Sequence, residues 1–110
     1  INPILFGKDT YRDYLHIKDL INIVIKIDNT SLLSNTYNIS YGKSYSCFQI
    51  YNKVKDHLNK FGLKIKKFED KGPRKGENSR LFISPSKLNS EIKWEPKINI
   101  NKGIDRLSIN

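Results

Sequence analysis

The chain reads as a small α/β domain, α+β if it stands as a fragment, and three observations carry that reading. Apolar residues recur at helical spacing from Cys47 to Phe61, behind a capping pair at Ser46 and Gln49. Two further stretches, residues 19–28 and 84–94, carry helical apolar patterns. Short β-prone runs at 14–17, 36–40, 63–68 and 81–83 alternate with them, and short strands alternating with helices define the class. A length of 110 residues supports one domain with a modest core.

Each element has a local reason. Residues 7–10 (GKDT) read as a turn, and Tyr14, Leu15 and Ile17 as a short extended segment. Between 19 and 28 the apolar residues Leu20, Ile21, Ile23, Val24, Ile25 and Ile27 surround most of a helical wheel, so that helix is expected to be buried on more than one side. The isoleucines keep a strand open as the competing assignment there. Residues 28–35 (DNTSLLSN) supply turn chemistry, and TYNIS at 36–40 reads as a short buried strand ended by Gly42. In the next helix Cys47, Ile50, Tyr51, Val54, Leu58 and Phe61 share a face, and Gly62 stops it. Residues 63–68 follow as a strand with one wet face, and 69–79 as a polar loop rich in breakers. Ser84 then Pro85 is the order of a cap and first helical residue, Leu88 and Ile92 give that helix its apolar side, and Trp94 and Pro96 end it. Residues 103–109 read as a terminal helix. The expected core is Leu15, Ile17, Ile21, Val24, Ile25, Tyr37, Ile39, Phe48, Ile50, Val54, Leu58, Leu88, Ile92 and Trp94.

Composition narrows the function classes. The net charge is +9, but lysine, isoleucine and asparagine are abundant and alanine is absent, as in AT-rich coding. Most lysines (Lys26, Lys53, Lys55, Lys60, Lys93) are spread over helix surfaces, and only Lys64, Lys66 and Lys67 approach a cluster, with Lys71, Arg74 and Lys75 beyond. Nucleic acid is therefore not the expected ligand, although a non-catalytic basic module binding a polyanion is kept as the alternative from another class. The single cysteine, Cys47, excludes an internal disulfide and fits a reducing compartment. No apolar run approaches membrane-spanning length and no signal-peptide pattern opens the chain, so a cytoplasmic location without membrane contact is expected. The lack of any methionine, even at position 1, points to a fragment, a processed product or the ordered part of something longer.

Arginine is the informative residue. It occurs only at positions 12, 74, 80 and 106, and the first three fall in two short stretches, RDYLHIKDL at 12–20 and GPRKGENSR at 72–80. A guanidinium offers a planar fork that grips two phosphate oxygens, whereas an ammonium is a hydrated point charge. Two such loops, separated by a folded segment, could close on a diphosphate from opposite sides. Other candidate chemistry has simpler accounts. His16, between Leu15 and Ile17, is expected to pack or hydrogen-bond locally, and His57 to be solvated on a Lys-rich helix. Neither histidine nor Cys47 has companions at zinc spacing. Asp13 is expected in a local salt bridge, and Asp19 in a helix's first turn, where the macrodipole favours negative charge.

Taken in order, RDYLHIKDL, TYNISYGKSYS, GPRKGE and SPSKLNSEIKWEPK with a following Gly-Ile resemble the NAD-dependent epimerase/dehydratase family, the extended short-chain dehydrogenases that act on nucleotide sugars. The resemblance covers residues 7 to about 104 and matches the C-terminal part of that family. It implies the substrate-binding portion of a Rossmann-type enzyme, here a single unit over 1–110 with the dinucleotide-binding domain absent. It also implies that Arg12 and Arg74 contact the substrate's phosphates and that Tyr14 lies near the nucleotide. Glu77 stands where an aspartate usually helps hold the ribose, and Arg80 where many members carry a further basic residue. The whole enzyme would be a nucleotide-sugar epimerase of the UDP-glucose 4-epimerase kind, or a 4,6-dehydratase or reductase, using NAD bound by the absent part and working as a homodimer. Two pairs, Tyr14 with Lys18 and Tyr51 with Lys55, match the spacing of the family's catalytic Tyr-x-x-x-Lys but not its context, so no catalytic residue is assigned in this chain. The glycine-rich dinucleotide fingerprint has no counterpart here either.

Overall fold

The computed structural model describes residues 3–28 and 36–107. The elements run β1 (Ile4–Leu5), β2 (Tyr11–Asp13), α1 (Ile17–Asp28), β3 (Ser44–Ser46), α2 (Cys47–Asn59), β4 (Glu69–Asp70), α3 (Ser86–Ile92) and α4 (Ile100–Asp105). The mixed class is as expected, but the strands form two separate pairs. β1 lies parallel to β4, with Ile4 opposite Glu69, and β2 lies antiparallel to β3, with Arg12 opposite Tyr45. An isolated parallel bridge joins Tyr11 to Arg80.

The expected strands at 36–40, 63–68 and 81–83 are irregular chain, and the pairing falls on residues beside them. A β-prone run becomes a strand only where a second backbone stands alongside, and here the partners lie far apart in sequence. The extended segment expected at 14–17 is not a strand: residues 14–16 are irregular and Ile17 already opens α1, while the strand lies at Tyr11–Asp13, where β3 and residue 80 flank the backbone.

α2 follows its sequence signals closely. Ser46 Oγ accepts from the Gln49 amide at 3.1 Å while Gln49 Oε1 accepts from the Ser46 amide at 2.8 Å, a reciprocal cap that satisfies two free donors. Its end is a turn in which Gly62, at φ +75°, donates to Asn59 O. α3 starts one residue later than expected. Pro85 is its N-cap, and the Ser84 hydroxyl accepts from the Ser86 amide at 3.4 Å. α4 starts at Ile100 rather than at 103, because the Asn99 side chain caps the Lys102 amide. The turn placed at 28–35 lies outside the described residues after Asp28, as does Ile109 at the other end.

The core is small and one-sided. Ile23, Leu88, Ile92 and Trp94 pack together, with Leu15, Leu20, Ile27, Tyr37 and Ile39 against them, and Ile98 and Ile104 are buried nearby. α1 therefore contributes one face only. The expectation of a helix buried on several sides is corrected: Ile17, Ile21, Val24 and Ile25 are each at least half exposed, and Phe48 is 40% exposed. The physical reason is thinness. The molecule measures 51 × 35 × 17 Å, and its radius of gyration of 16.8 Å exceeds the roughly 13 Å of a self-contained domain of this length. A slab so thin can cover only one side of α1. The chain purified by itself is accordingly expected to self-associate, and Ile21→Lys with Val24→Lys should return it to a monomer of unchanged helix content, as read by light scattering and circular dichroism.

Two carboxylates hold the loops to this core. Asp19, 1% exposed, accepts from the Ile98 amide at 2.9 Å and the Lys97 amide at 3.1 Å, tying the segment after α3 to the first turn of α1. Asp13 does not make the expected local salt bridge. Its two oxygens accept from the Tyr41 and Gly42 amides at 2.8 and 2.7 Å, which anchors the turn before β3. His16 bonds locally as expected, its Nδ1 accepting from the Lys18 amide at 3.1 Å. His57 is not solvated: it is 5% exposed between α2 and α4, with Nε2 3.3 Å from Leu107 O and Nδ1 3.5 Å from the Asp105 carboxylate.

Candidate functional site

The arginine-bearing stretches meet because the backbone of one is sewn to the other. The Tyr11 amide donates to Ser79 O at 2.8 Å, and the Leu81 amide donates to Tyr11 O at 3.4 Å. These bonds lay residues 79–81 along β2, so Arg12 and the 74–80 loop become neighbours although more than sixty positions separate them in sequence. The turn before β2 also fits the loop closely. Gly7 lies at φ +75°, and a Cβ there would stand 2.4 Å from Thr10 Oγ1 and 3.2 Å from Pro73 Cα, so only glycine lets this turn approach the residue beside Arg74. α2 docks behind the same turn, its Cys47 and Phe48 amides donating to Thr10 O and Lys8 O.

Within this frame Glu77 is the hub. Arg74 to Glu77 form a β-turn closed by Glu77 N donating to Arg74 O at 3.1 Å, with Gly76 at φ +80° in the position that demands it. One Glu77 carboxylate oxygen, Oε1, accepts from Arg12 Nη2 at 3.1 Å. The other, Oε2, accepts from the Arg74 amide at 3.3 Å. Arg12 is held a second time, Nη1 donating to Tyr11 O at 2.7 Å. The remaining guanidinium groups rest on aromatic rings, Arg74 over Phe6 and Arg80 over Tyr11, each 4.6 Å from the ring centroid. Such stacks at exposed positions are worth about 0.5–1 kcal/mol, less than a charge-assisted pair with phosphate, so an anion can draw these side chains off.

Tyr14 lines an apolar recess with Leu15, His16, Ile98, Ile100 and Ile104. Its phenol is shifted upward, chiefly by burial and next by Cys47, with Arg12 opposing. Tyr51 is engaged elsewhere: its hydroxyl donates to Lys66 O at 2.8 Å and its ring meets Phe68 edge-on.

Of the five residues expected at the site, Arg12 and Glu77 meet side chain to side chain, Arg74 joins them through its backbone amide with its guanidinium over Phe6, Arg80 stacks on Tyr11, and Tyr14 lines a recess that none of the other four enters. Sequence reasoning missed Phe6 and Tyr11 as arginine rests, and it placed Cys47 only on an apolar helix face. Cys47 is half-buried at the start of α2, and its thiol is pushed up by burial and then by the Glu77 and Asp70 carboxylates. Low dielectric and nearby negative charge both oppose thiolate formation. Alkylation of this single thiol by iodoacetamide is therefore expected to titrate above the ordinary thiol range, and Glu77→Gln, which removes one of those charges, should bring the midpoint down.

The chain also has measurable relatives. The family profile described as GDP-mannose 4,6 dehydratase matches residues 2–107. Among curated proteins, the bifunctional protein gal10 of Schizosaccharomyces pombe is 32% identical over 111 residues, covering 88% of this chain and 15% of that protein. UDP-glucose 4-epimerase 4 of Oryza sativa subsp. japonica is 34% identical over 97 residues, covering 83% of this chain and 25% of its own length. The fold matches UDP-glucose 4-epimerase of Thermotoga maritima, solved with UDP-glucose, at a TM-score of 0.82 and 22% identity over 94% of this chain and 32% of that one. It matches dTDP-glucose 4,6-dehydratase of Bacillus anthracis, solved with NAD, at 0.79 and 23% over 94% and 32%. The chain therefore spans about a third or less of each of these four proteins. A profile matched along nearly the whole chain, and relatives above 30% identity, place it in the NAD-dependent epimerase/dehydratase family, as a portion of that Rossmann-type fold.

Proposed function

We propose that this chain is the substrate-binding portion of an NAD-dependent nucleotide-sugar epimerase, and that Arg12 and Arg74 hold the substrate's diphosphate. The observation that supports the reading is the lacing of residues 79–81 onto β2, with the Glu77 carboxylate joining the Arg12 guanidinium to the backbone of the Arg74 turn. Tyr14 stands where the nucleoside would lie, and Arg80, released from Tyr11, adds a third positive group. Gripping the non-reacting diphosphate fixes the sugar for chemistry carried by other parts of the protein. A 4,6-dehydratase or a reductase of the same family would use the same grip.

NAD, when bound, supplies the hydride exchange at the sugar. The residues described here do not fit that group. The left-handed glycines Gly7, Gly42, Gly62, Gly72 and Gly76 stand singly in separate turns, and none joins a strand to a helix in a glycine-rich phosphate loop. Its binding is assigned to a portion of the parent outside this chain, and the contribution here is positional. Among the described residues, no helix is long and apolar enough to cross a membrane.

Calorimetric titration with UDP and dTDP tests the proposal. Saturation of a single site is expected, with uridine binding more weakly than UDP because it lacks the diphosphate. A polyanion-binding module would instead prefer oligonucleotides, with steep salt dependence and losses spread over many lysines such as Lys53. That outcome would replace this reading.

A further inference from the structure

We infer that Lys43 and Tyr45 are the base-reading end of the site: the Tyr45 ring carries the nucleobase, and the Lys43 ammonium selects a base with a carbonyl where cytosine has its amino group. The inference rests on the nucleotide-binding role proposed above and adds to it the choice of base. Strand register places the two residues. β2 and β3 run antiparallel with Arg12 directly opposite Tyr45. Opposed residues of such a pair send their side chains from the same face, with Cβ atoms about 4.5–5.5 Å apart. The Tyr45 phenol thus leaves the sheet next to the arginine assigned to phosphate. Tyr14, assigned to the nucleoside, is in electrostatic range of Arg12 and of Cys47, two residues past Tyr45. The nucleoside end of a ligand held by Arg12 therefore faces β3.

Two ammonium groups lie over the Tyr45 ring, Lys43 Nζ at 5.3 Å and Lys53 Nζ at 5.5 Å from its centroid. They differ in freedom. Lys53 donates to Asn101 Oδ1 at 2.7 Å, which ties it to α4. Lys43 is exposed, and no carboxylate among the described residues comes within ion-pair distance of it. Asp13, the acid of the facing strand, turns instead to the Tyr41 and Gly42 amides. An unneutralised ammonium beside a half-buried ring serves a base in two ways. The ring gives it a stacking surface. The ammonium has three donors and no acceptor, so it bonds the O4 carbonyl of uracil or thymine but meets only N–H groups at the 4-amino position of cytosine. Its hold on the ring is that of a surface cation–π contact, weak enough for Lys43 to swing to the edge of the base.

The test compares UDP with CDP by calorimetry on the purified protein, since the two differ only at the 4-position of the base and the N3 proton beside it. The unaltered protein is expected to bind UDP about tenfold more tightly than CDP. Lys43 is exposed, so Lys43→Ala leaves the fold intact. It should bring UDP down to the CDP value while CDP stays within about twofold. Lys43→Arg keeps the donors and should keep most of the preference. Tyr45→Ala should weaken UDP and CDP by the same factor, about fivefold or more, and Tyr45→Phe should change neither. Equal losses of UDP and CDP in Lys43→Ala would make the lysine a phosphate contact and overturn the inference, as would equal affinities in the unaltered protein. Uridine and cytidine, titrated by NMR chemical shift, separate this inference from the reading beneath it. If UDP binds no better than uridine, the diphosphate grip falls, and the base inference still stands on a Lys43-dependent preference for uridine over cytidine. Absence of that preference, or binding of neither nucleoside, would overturn it.

Discussion

Replacing Asp19 with alanine is expected to destabilise the fold by roughly 3 kcal/mol, read as a fall of about 10–20 °C in the thermal midpoint. The side chain is 1% exposed and accepts from two backbone amides, at Lys97 and Ile98. Removing the carboxylate leaves two donors facing protein rather than water, and each charge-assisted bond of this kind contributes about 1.5–3 kcal/mol. The loss also detaches the segment after Trp94 from α1, and with it the docking of Ile98 into the interior. Asp19→Asn keeps one acceptor oxygen and should lose about half as much. The partly exposed Arg12–Glu77 pair provides the contrast: Arg12→Ala should move the midpoint by only a degree or two.

The second large effect is on ligand affinity. Arg12→Ala and Arg74→Ala should each weaken UDP binding about 10- to 100-fold, while Lys53→Ala changes it less than twofold. Lysine at position 12 should recover little, because the fork of Arg12 is held flat between Tyr11 O and Glu77 and an ammonium cannot occupy both places and still present paired donors. Arg74 must leave Phe6 to reach phosphate, so part of its gain offsets a stack worth about 0.5–1 kcal/mol. Arg74→Ala is therefore expected at the lower end of the range and Arg12→Ala at the upper. The double substitution should lose less than the product of the single losses, since both groups act on one ligand.

How much of this was legible in the residues depends on the range of the interaction. The Ser46–Gln49 cap and the helix behind it are local signals, and the structure reproduces them. α1 was legible as a helix but not as a half-bare one, because periodicity reports which residues could be buried and not how many neighbours are present to bury them. The strands were misplaced for a related reason. Ile4 pairs with Glu69 and Tyr11 with Arg80, contacts between distant positions that no short window encodes. Asp13 read as a partner in a local salt bridge and Asp19 as a first-turn helix acid, a placement α1 bears out, yet both anchor loops through amides 28 and 79 positions away. At the site, the placement of the arginines drew attention to the two stretches, and the family resemblance nominated Arg12, Tyr14, Arg74, Glu77 and Arg80 within them. The bridging of two arginine segments by Glu77, and the resting places of Arg74 on Phe6 and Arg80 on Tyr11, follow from tertiary contacts alone.

A crystal structure of the protein with UDP bound is the most direct measurement. The expected result places the two phosphates between the Arg12 and Arg74 guanidinium groups, with Arg74 lifted from Phe6 and Arg12 still braced by Glu77. A diphosphate bound away from both arginines, or held by one while the other faces solvent, would contradict it.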